Sequence, residues 1–225
     1  MLNLIPDLLW TDFSPMRMVG IPAGRRMALA RGTDGQIVVF SPLPISEQRV
    51  SELRALGEPA ACVMPSRFHE RFFSDYFDRF PNSVFLAGKA SLSDHPKWRL
   101  TELSFSRREL AGFDMVKVEG MPLVQEHVFF QRATRTLIIA DLLFNIRPTG
   151  GWLDGVLLKI AGMKGGPGPS RLWRTTIKHR GEFVSSLERI RELDFDRIIP
   201  GHGEIIETGG KQIFDRAFSP WLGKG

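Results

Sequence analysis

The chain has 225 residues, 43% of them hydrophobic and 24% charged, which is the length of one domain with a sizeable core and excludes wholesale disorder. The formal net charge of +5 is scattered, with no Lys/Arg block. That excludes a basic nucleic-acid arm and leaves only weak, salt-sensitive, sequence-blind binding to nucleic acid. The single cysteine, Cys62, excludes an internal disulfide and a cysteine zinc knuckle, and it fits a reducing cytoplasm.

Residues 1–18 read as an irregular N-terminal arm anchored by Trp10 and Phe13. The arm is apolar, but Pro6 and Asp7 interrupt it and no basic lead precedes it, so neither a signal peptide nor a membrane span is expected. Arg26 to Arg31 and Gln36 to Phe40 are strands joined by a turn at Gly32-Thr33-Asp34-Gly35. Ser46 caps a helix that Gly57 closes. Ala60 to Met64 is a buried strand, which completes a β-β-α-β opening. Phe72, Phe73, Phe77 and Phe80 recur at helical spacing and predict a helix whose aromatic face is core, stopped by Pro81.

Val84 to Ala87 is the next strand, and Ala90 to Lys97 resembles a helix start. Met115 to Val118, His127 to Phe130 and Leu137 to Ala140 read as strands, the last two joined by a tight turn at Arg132-Ala133-Thr134. Residues 145–169 form a Gly-rich insertion in which the apolar run Leu153 to Met163 is either a helix or a mobile lid. Arg174 to Leu193 predicts one amphipathic helix with Phe183, Leu187, Ile190 and Leu193 on a face. A last helix is expected around Gln212 to Trp221. There is no internal repeat, and the whole chain, 1–225, reads as one domain.

Two strand ends carry chemistry. The apolar strand Leu137 to Ala140 ends in Asp141, and the strand Arg197 to Ile199 stops at Pro200 and opens into Gly201-His202-Gly203. Glycine on both sides frees the backbone to turn sharply and leaves the imidazole clear. A histidine so presented either binds a metal or moves a proton, or else merely fills a turn and hydrogen-bonds a carbonyl. Asp141, likewise, is a ligand, a cap, or a partner of Arg135.

With Pro65-Ser66-Arg67-Phe68-His69 after the strand at Met64, and Phe129-Phe130-Gln131-Arg132-Ala133-Thr134-Arg135-Thr136-Leu137 leading to Asp141, the chain resembles the metallo-β-lactamase fold superfamily. Within it, the chain is similar to a family of uncharacterised proteins with a reduced ligand set. The resemblance runs from about Val19 to Trp221. It implies an α/β fold, a four-layer αββα sandwich with two mixed sheets inside and helices outside. It also implies that Asp141 and His202 share one edge of the sheets.

The superfamily's first metal loop usually carries several imidazoles and a carboxylate. Here it offers only His69, with Glu70 beside it as an expected outer orienter, while Ser66, Phe68 and Arg71 stand where ligands are usual. Leu123 falls near the place of a further histidine, and His127 or Glu126 is held in reserve. His127 is equally a packed core histidine. A two-metal site is therefore not expected. The ligands implied are His69, Asp141, His202 and His127, for a single Zn, Mn or Fe ion or for none. Asp141 and His202 are the expected catalytic residues.

The activity implied is that of a metal-dependent hydrolase of an ester, phosphoester or thioester with a degenerate site. The alternative is a non-catalytic descendant that binds a ligand or partner in the same cleft. The expected partner is a small molecule, anionic if Arg67, Arg132, Arg135, Arg171 or Lys178 lines the mouth, with no specific nucleic acid and no membrane. His95 and His179 are expected at the surface.

Overall fold

Strand order follows chain order through the first half of the molecule. The computed structural model describes residues 1–18, 20–148, 151–163 and 166–223. Its first sheet runs β1 (Leu2–Ile5), β2 (Leu9–Ser14), β3 (Arg25–Arg31), β4 (Ile37–Phe40), β5 (Pro59–Met64), β6 (Val84–Ala87) and β7 (Thr101–Glu102). The strands are antiparallel as far as β4 and parallel thereafter, because helix α1 (Glu47–Leu56) returns the chain before β5. The Ser46 hydroxyl accepts the Arg49 N–H at the start of α1, and Gly57, at φ 131, closes it. The second sheet has the order β11 (Arg197–Pro200), β10 (Thr136–Ile139), β9 (His127–Gln131), β8 (Phe113–Lys117). Only β10 and β11 are parallel there.

Strand alternation splits the apolar residues into three packed clusters, and these make the four layers. Phe40, Val63 and Leu86 of the first sheet meet Phe129, Ile138 and Ile199 of the second, so this cluster lies between the sheets. Cys62, Met64 and Phe85 pack with Val50 and Leu53 of α1 on the outer side of the first sheet. Leu137, Ile139 and Ile198 pack with Phe183, Leu187 and Ile190 of α5 (Arg180–Arg191) and with Phe214 and Phe218 of α6 (Gly210–Leu222) on the outer side of the second. The expected αββα sandwich is therefore the fold. No helix among the described residues is long and apolar enough to cross a membrane.

Several local expectations change. Residues 1–18 are not an irregular arm: β1 and β2 form a hairpin, turned at Asp7 with φ 61, because Leu9 and Trp10 bury against β3 and carry the edge strand with them. The aromatic stripe from Phe72 to Phe80 does not make one helix. The chain runs through 3₁₀ turns at Arg67–His69 and Ser74–Tyr76, and Phe73, Tyr76 and Phe80 are drawn into the cluster under the first sheet. Tertiary packing of large rings outweighs helical spacing here.

The helix near Ala90 is α2 (Lys89–Asp94). The helix expected from Arg174 breaks in two, a short α4 (Arg171–Arg174) and α5. Lys178 and His179 donate their N–H groups to the Gly120 carbonyl between them. The apolar run in 145–169 is helix α3 (Gly151–Ile160), tied down by the ion pair of Arg17 with Asp154 at 2.8 Å. The flanking Thr149, Gly150, Lys164 and Gly165 lie outside the described residues.

Candidate metal centre

β10 and β11 lie side by side in parallel, Ile139 opposite Pro200, so the residues that follow them emerge at one edge. Asp141 follows β10 and His202 follows β11. Arg67–His69 follows β5 of the other sheet, and the three side chains meet between the sheets. Each offers a donor atom within 4.8 Å of the others'. Asp141 Oδ1 stands 3.6 Å from His69 Nε2 and 3.5 Å from His202 Nε2. All three are buried, at 1%, 4% and 3% exposure for His69, Asp141 and His202.

Each ligand is held from behind. His202 Nδ1 lies 2.6 Å from the Gly24 carbonyl. A carbonyl only accepts, so Nδ1 carries a proton and Nε2 is the nitrogen turned to the centre. His69 Nδ1 lies 2.7 Å from the Ser41 hydroxyl, and Ser41 is held at φ 56, a left-handed conformation unusual for serine. The Ser66 hydroxyl donates to Asp141 Oδ2, which leaves Oδ1 facing the two rings. The Glu126 carboxylate accepts the backbone N–H groups of Ala140 and Asp141 at 2.8 and 3.0 Å. The turn bearing His202 is pinned as well. Arg26 N–H donates to the Gly201 carbonyl, Gly203 N–H to that of Ala23, and Glu204 N–H to that of Asn145.

The electrostatics favour a cation at this point. Burial, and after it the charge of Arg25, holds the His69 imidazole down at about 4, so it is neutral at neutral pH. Burial by itself would raise the Asp141 carboxyl, but the imidazoles beside it, His69 first, hold it well below the usual range. For Glu126 burial and then the charge of Asp141 push the other way, well above the usual range. The Asp141–Glu126 pair thus carries its negative charge on Asp141.

A metal ion fits this donor set. His69 Nε2 is buried with no hydrogen-bond partner among the described residues. A tetrahedral ion bonded at about 2.0–2.2 Å spaces its ligands about 3.4 Å apart, close to the separations found without one.

Other expected site residues lie elsewhere. His127 is not among the converging three. It starts β9 beside Glu126 with its ring against Gly88, at the edge of a separate cavity of about 440 Å³. Alternation along the strand sends the Glu126 and His127 side chains to opposite faces. Glu70 does not orient a ligand: its Oε2 is bonded 2.6 Å from His95 Nε2. His95 is half-buried and stacks on Trp98, while His179 is exposed. Arg67, Arg132 and Arg135 are engaged by Asp94, Asp114 and Asp194. Phe68 and Leu123 are exposed on the wall of a shallow cleft. Ser41, Ser66 and Arg25 were not singled out as site residues by the sequence. Ser66 had a usable signal, since it stands at the end of β5 as Asp141 stands at the end of β10.

No family model and no curated protein sequence matches the chain. Solved structures do. A metallo-β-lactamase from Pontibacter korlensis superposes with a TM-score of 0.65, at 11% identity, over 98% of this chain and 97% of that one. The fold is that of the metallo-β-lactamases. FIM-1 from Pseudomonas aeruginosa, a metallo-β-lactamase in its mono-zinc form, superposes with a TM-score of 0.62 at 13% identity, over 98% of this chain and 95% of that one. The flavodiiron protein from Giardia intestinalis gives 0.63 at 11% identity, over 98% of this chain and 59% of that longer one. At such identities the metallo-β-lactamase fold is established and the activity is not.

Proposed function

We propose that the protein is a metal-dependent hydrolase with a reduced, single-ion centre built from His69, Asp141 and His202. The observation that carries this reading is the convergence of three buried donor atoms, two of them on rings whose far nitrogens are already engaged. Such backing is what metal-ligating histidines have, and it fixes the direction of the lone pair. The known structures that share the fold include a mono-zinc enzyme and a flavodiiron protein, which supports zinc or iron as the ion; manganese suits the same donors.

A bound divalent ion would lower the pKa of its water to near neutrality and polarise the oxygen of a carbonyl or phosphoryl group. The chain's own residues do the rest. His69 and His202 present their Nε2 atoms, and Asp141 presents Oδ1. Ser66 keeps Oδ2 turned away, Glu126 fixes the Asp141 backbone, and the two sheets exclude bulk water. Asp141 is ionised, and as a ligand through Oδ1 it would fix the position of the ion and so of any water bound to it. The substrate class we assign is a small ester, thioester or phosphoester with anionic character, not nucleic acid. The reducing cytoplasm belongs to the same proposal and rests only on the single unpaired Cys62.

The experiment is a hydrolysis panel of ester, thioester and phosphoester substrates with the zinc-loaded protein. Activity that disappears with chelator and in Asp141→Ala is expected. Turnover that survives both would refute a metal-dependent hydrolase.

A further inference from the structure

Arg25, the first residue of β3, is only 3% exposed, yet its Nε and Nη2 have no hydrogen-bond partner among the described residues. No carboxylate pairs with it among the described residues. A buried guanidinium with a bare donor edge is costly, and native structures rarely keep one without a reason.

The position of Arg25 supplies the reason. The residue before it, Gly24, accepts the His202 ring, and the residue after it, Arg26, donates its N–H to Gly201. The Arg25 guanidinium carbon lies 5.7 Å from the centre of the Phe72 ring, three residues past His69. Arg25 is therefore clasped between the turns that carry the two histidine ligands. The carboxylate acting on it most strongly is Asp141. Burial pushes its pKa down to about 10, so it keeps its charge at neutral pH.

The bare edge has a defined shape. Nε and Nη2 form the side of the guanidinium that takes two oxygens of one anion. At Arg67 and Arg132 that edge is filled. Arg67 gives Nε and Nη2 to the two oxygens of Asp94 at 2.6 and 2.8 Å, and Arg132 gives the same pair to Asp114. At Arg25 no matching anion is found among the described residues.

We propose that Arg25 is the anion-binding residue of the centre, its Nε–H and Nη2–H receiving two oxygens of a substrate carboxylate or phosphoryl group beside the ion. This rests on the hydrolase reading for its biological meaning, but not for its physical test. With a divalent ion, an ionised Asp141 and neutral imidazoles, Arg25 brings the centre to two positive charges in excess, which selects an anionic substrate. The guanidinium supplies the second cation of a site whose ligands suffice for one ion.

The test is calorimetric titration with inorganic phosphate and, separately, acetate, on zinc-loaded and metal-free protein, for wild type, Arg25→Met and Arg25→Lys. Wild type should bind at least one of the two anions saturably, and the tighter one distinguishes a phosphoryl from a carboxylate ligand. Arg25→Met should weaken that binding at least tenfold, and Arg25→Lys should restore part of it. Melting is the second readout. A merely structural arginine would lower Tm when replaced, whereas removing an unpaired buried charge should leave Tm equal or higher.

The proposal fails if Arg25→Met binds both anions as wild type does, if wild type binds neither, or if Arg25→Met lowers Tm by several degrees. Zinc loading without anion binding overturns only the role of Arg25. Anion binding through Arg25 in a protein that takes up no metal overturns only the hydrolase reading.

Discussion

The hydroxyl of Ser66 decides which oxygen of Asp141 faces the histidines. By donating to Oδ2 it leaves Oδ1 between the two imidazoles. Removing it frees the carboxylate to rotate and leaves Oδ2 buried without a partner. Ser66→Ala should therefore weaken zinc binding about 10–100-fold, the usual effect of losing a group that orients a ligand. Competition with a zinc indicator measures this, and an unchanged affinity would show that Ser66 does not set the geometry. At this scale the sequence was legible where the chemistry is local. His69, Asp141 and His202 each stand just beyond an apolar strand. Ser41, Ser66, Arg25 and Glu126 act through partners fixed by the tertiary fold, Ser66 across 75 positions and Ser41 across 28, and no spacing reveals such pairs. Glu126 was held in reserve as a ligand, and it serves instead as a clamp on the Asp141 backbone.

Between β11 and α6 the chain passes close against the site, and glycine allows it. A Cβ on Gly201 would lie 2.6 Å from the Ala140 carbonyl oxygen and 2.7 Å from His69 Cε1. The backbone cannot move without loosening the β10–β11 pairing, so the His69 ring must give way. Gly201→Ala should cost about 1–3 kcal/mol in stability, as overpacking does, and displace His69 from the centre. Zinc affinity and Tm should fall together. A variant that melts and binds zinc like wild type would contradict the packing described here.

The Pro-Gly-His-Gly run was thus readable as a presented histidine, although the demand for Gly201 comes from β10 and the His69 turn. The helix expected across Phe72 to Phe80 shows the opposite limit. Aromatic spacing gives the burial of Phe73 and Phe80 correctly but not the backbone, which follows the pockets offered by Phe85 and Trp98. The edge hairpin of β1 and β2 was hidden because its first strand is short and partly exposed, with little alternation to read.

For the whole molecule, burial of two imidazoles links stability to pH. In the unfolded chain a histidine titrates near 6.5. In the folded protein without metal, His69 is held at about 4 by burial and then Arg25, and His127 at about 4 by burial and then Lys117. Between these pH values the unfolded chain binds more protons than the folded one. Stability is therefore complete above about pH 6.5 and is lost as pH falls toward 4. Tm of the metal-free protein should drop from pH 7 to pH 5, and His127→Gln should make the drop shallower. An identical slope in the variant would show that His127 is not held neutral by the fold. The β-β-α-β opening was legible from the order of elements, whereas the four-layer arrangement was implied by the resemblance that the strand-end motifs carry; in the structure each sheet face has an apolar partner, with helices on the two outer ones.

The proposed centre is one ion held by three residues. The most direct measurement is elemental analysis for zinc, manganese and iron in wild type, Asp141→Ala and His202→Ala, each purified without added metal and again after zinc loading and desalting. One equivalent per chain in loaded wild type, lost in both variants, is the expected result. No metal in loaded wild type, or two equivalents, would contradict a single centre built from His69, Asp141 and His202.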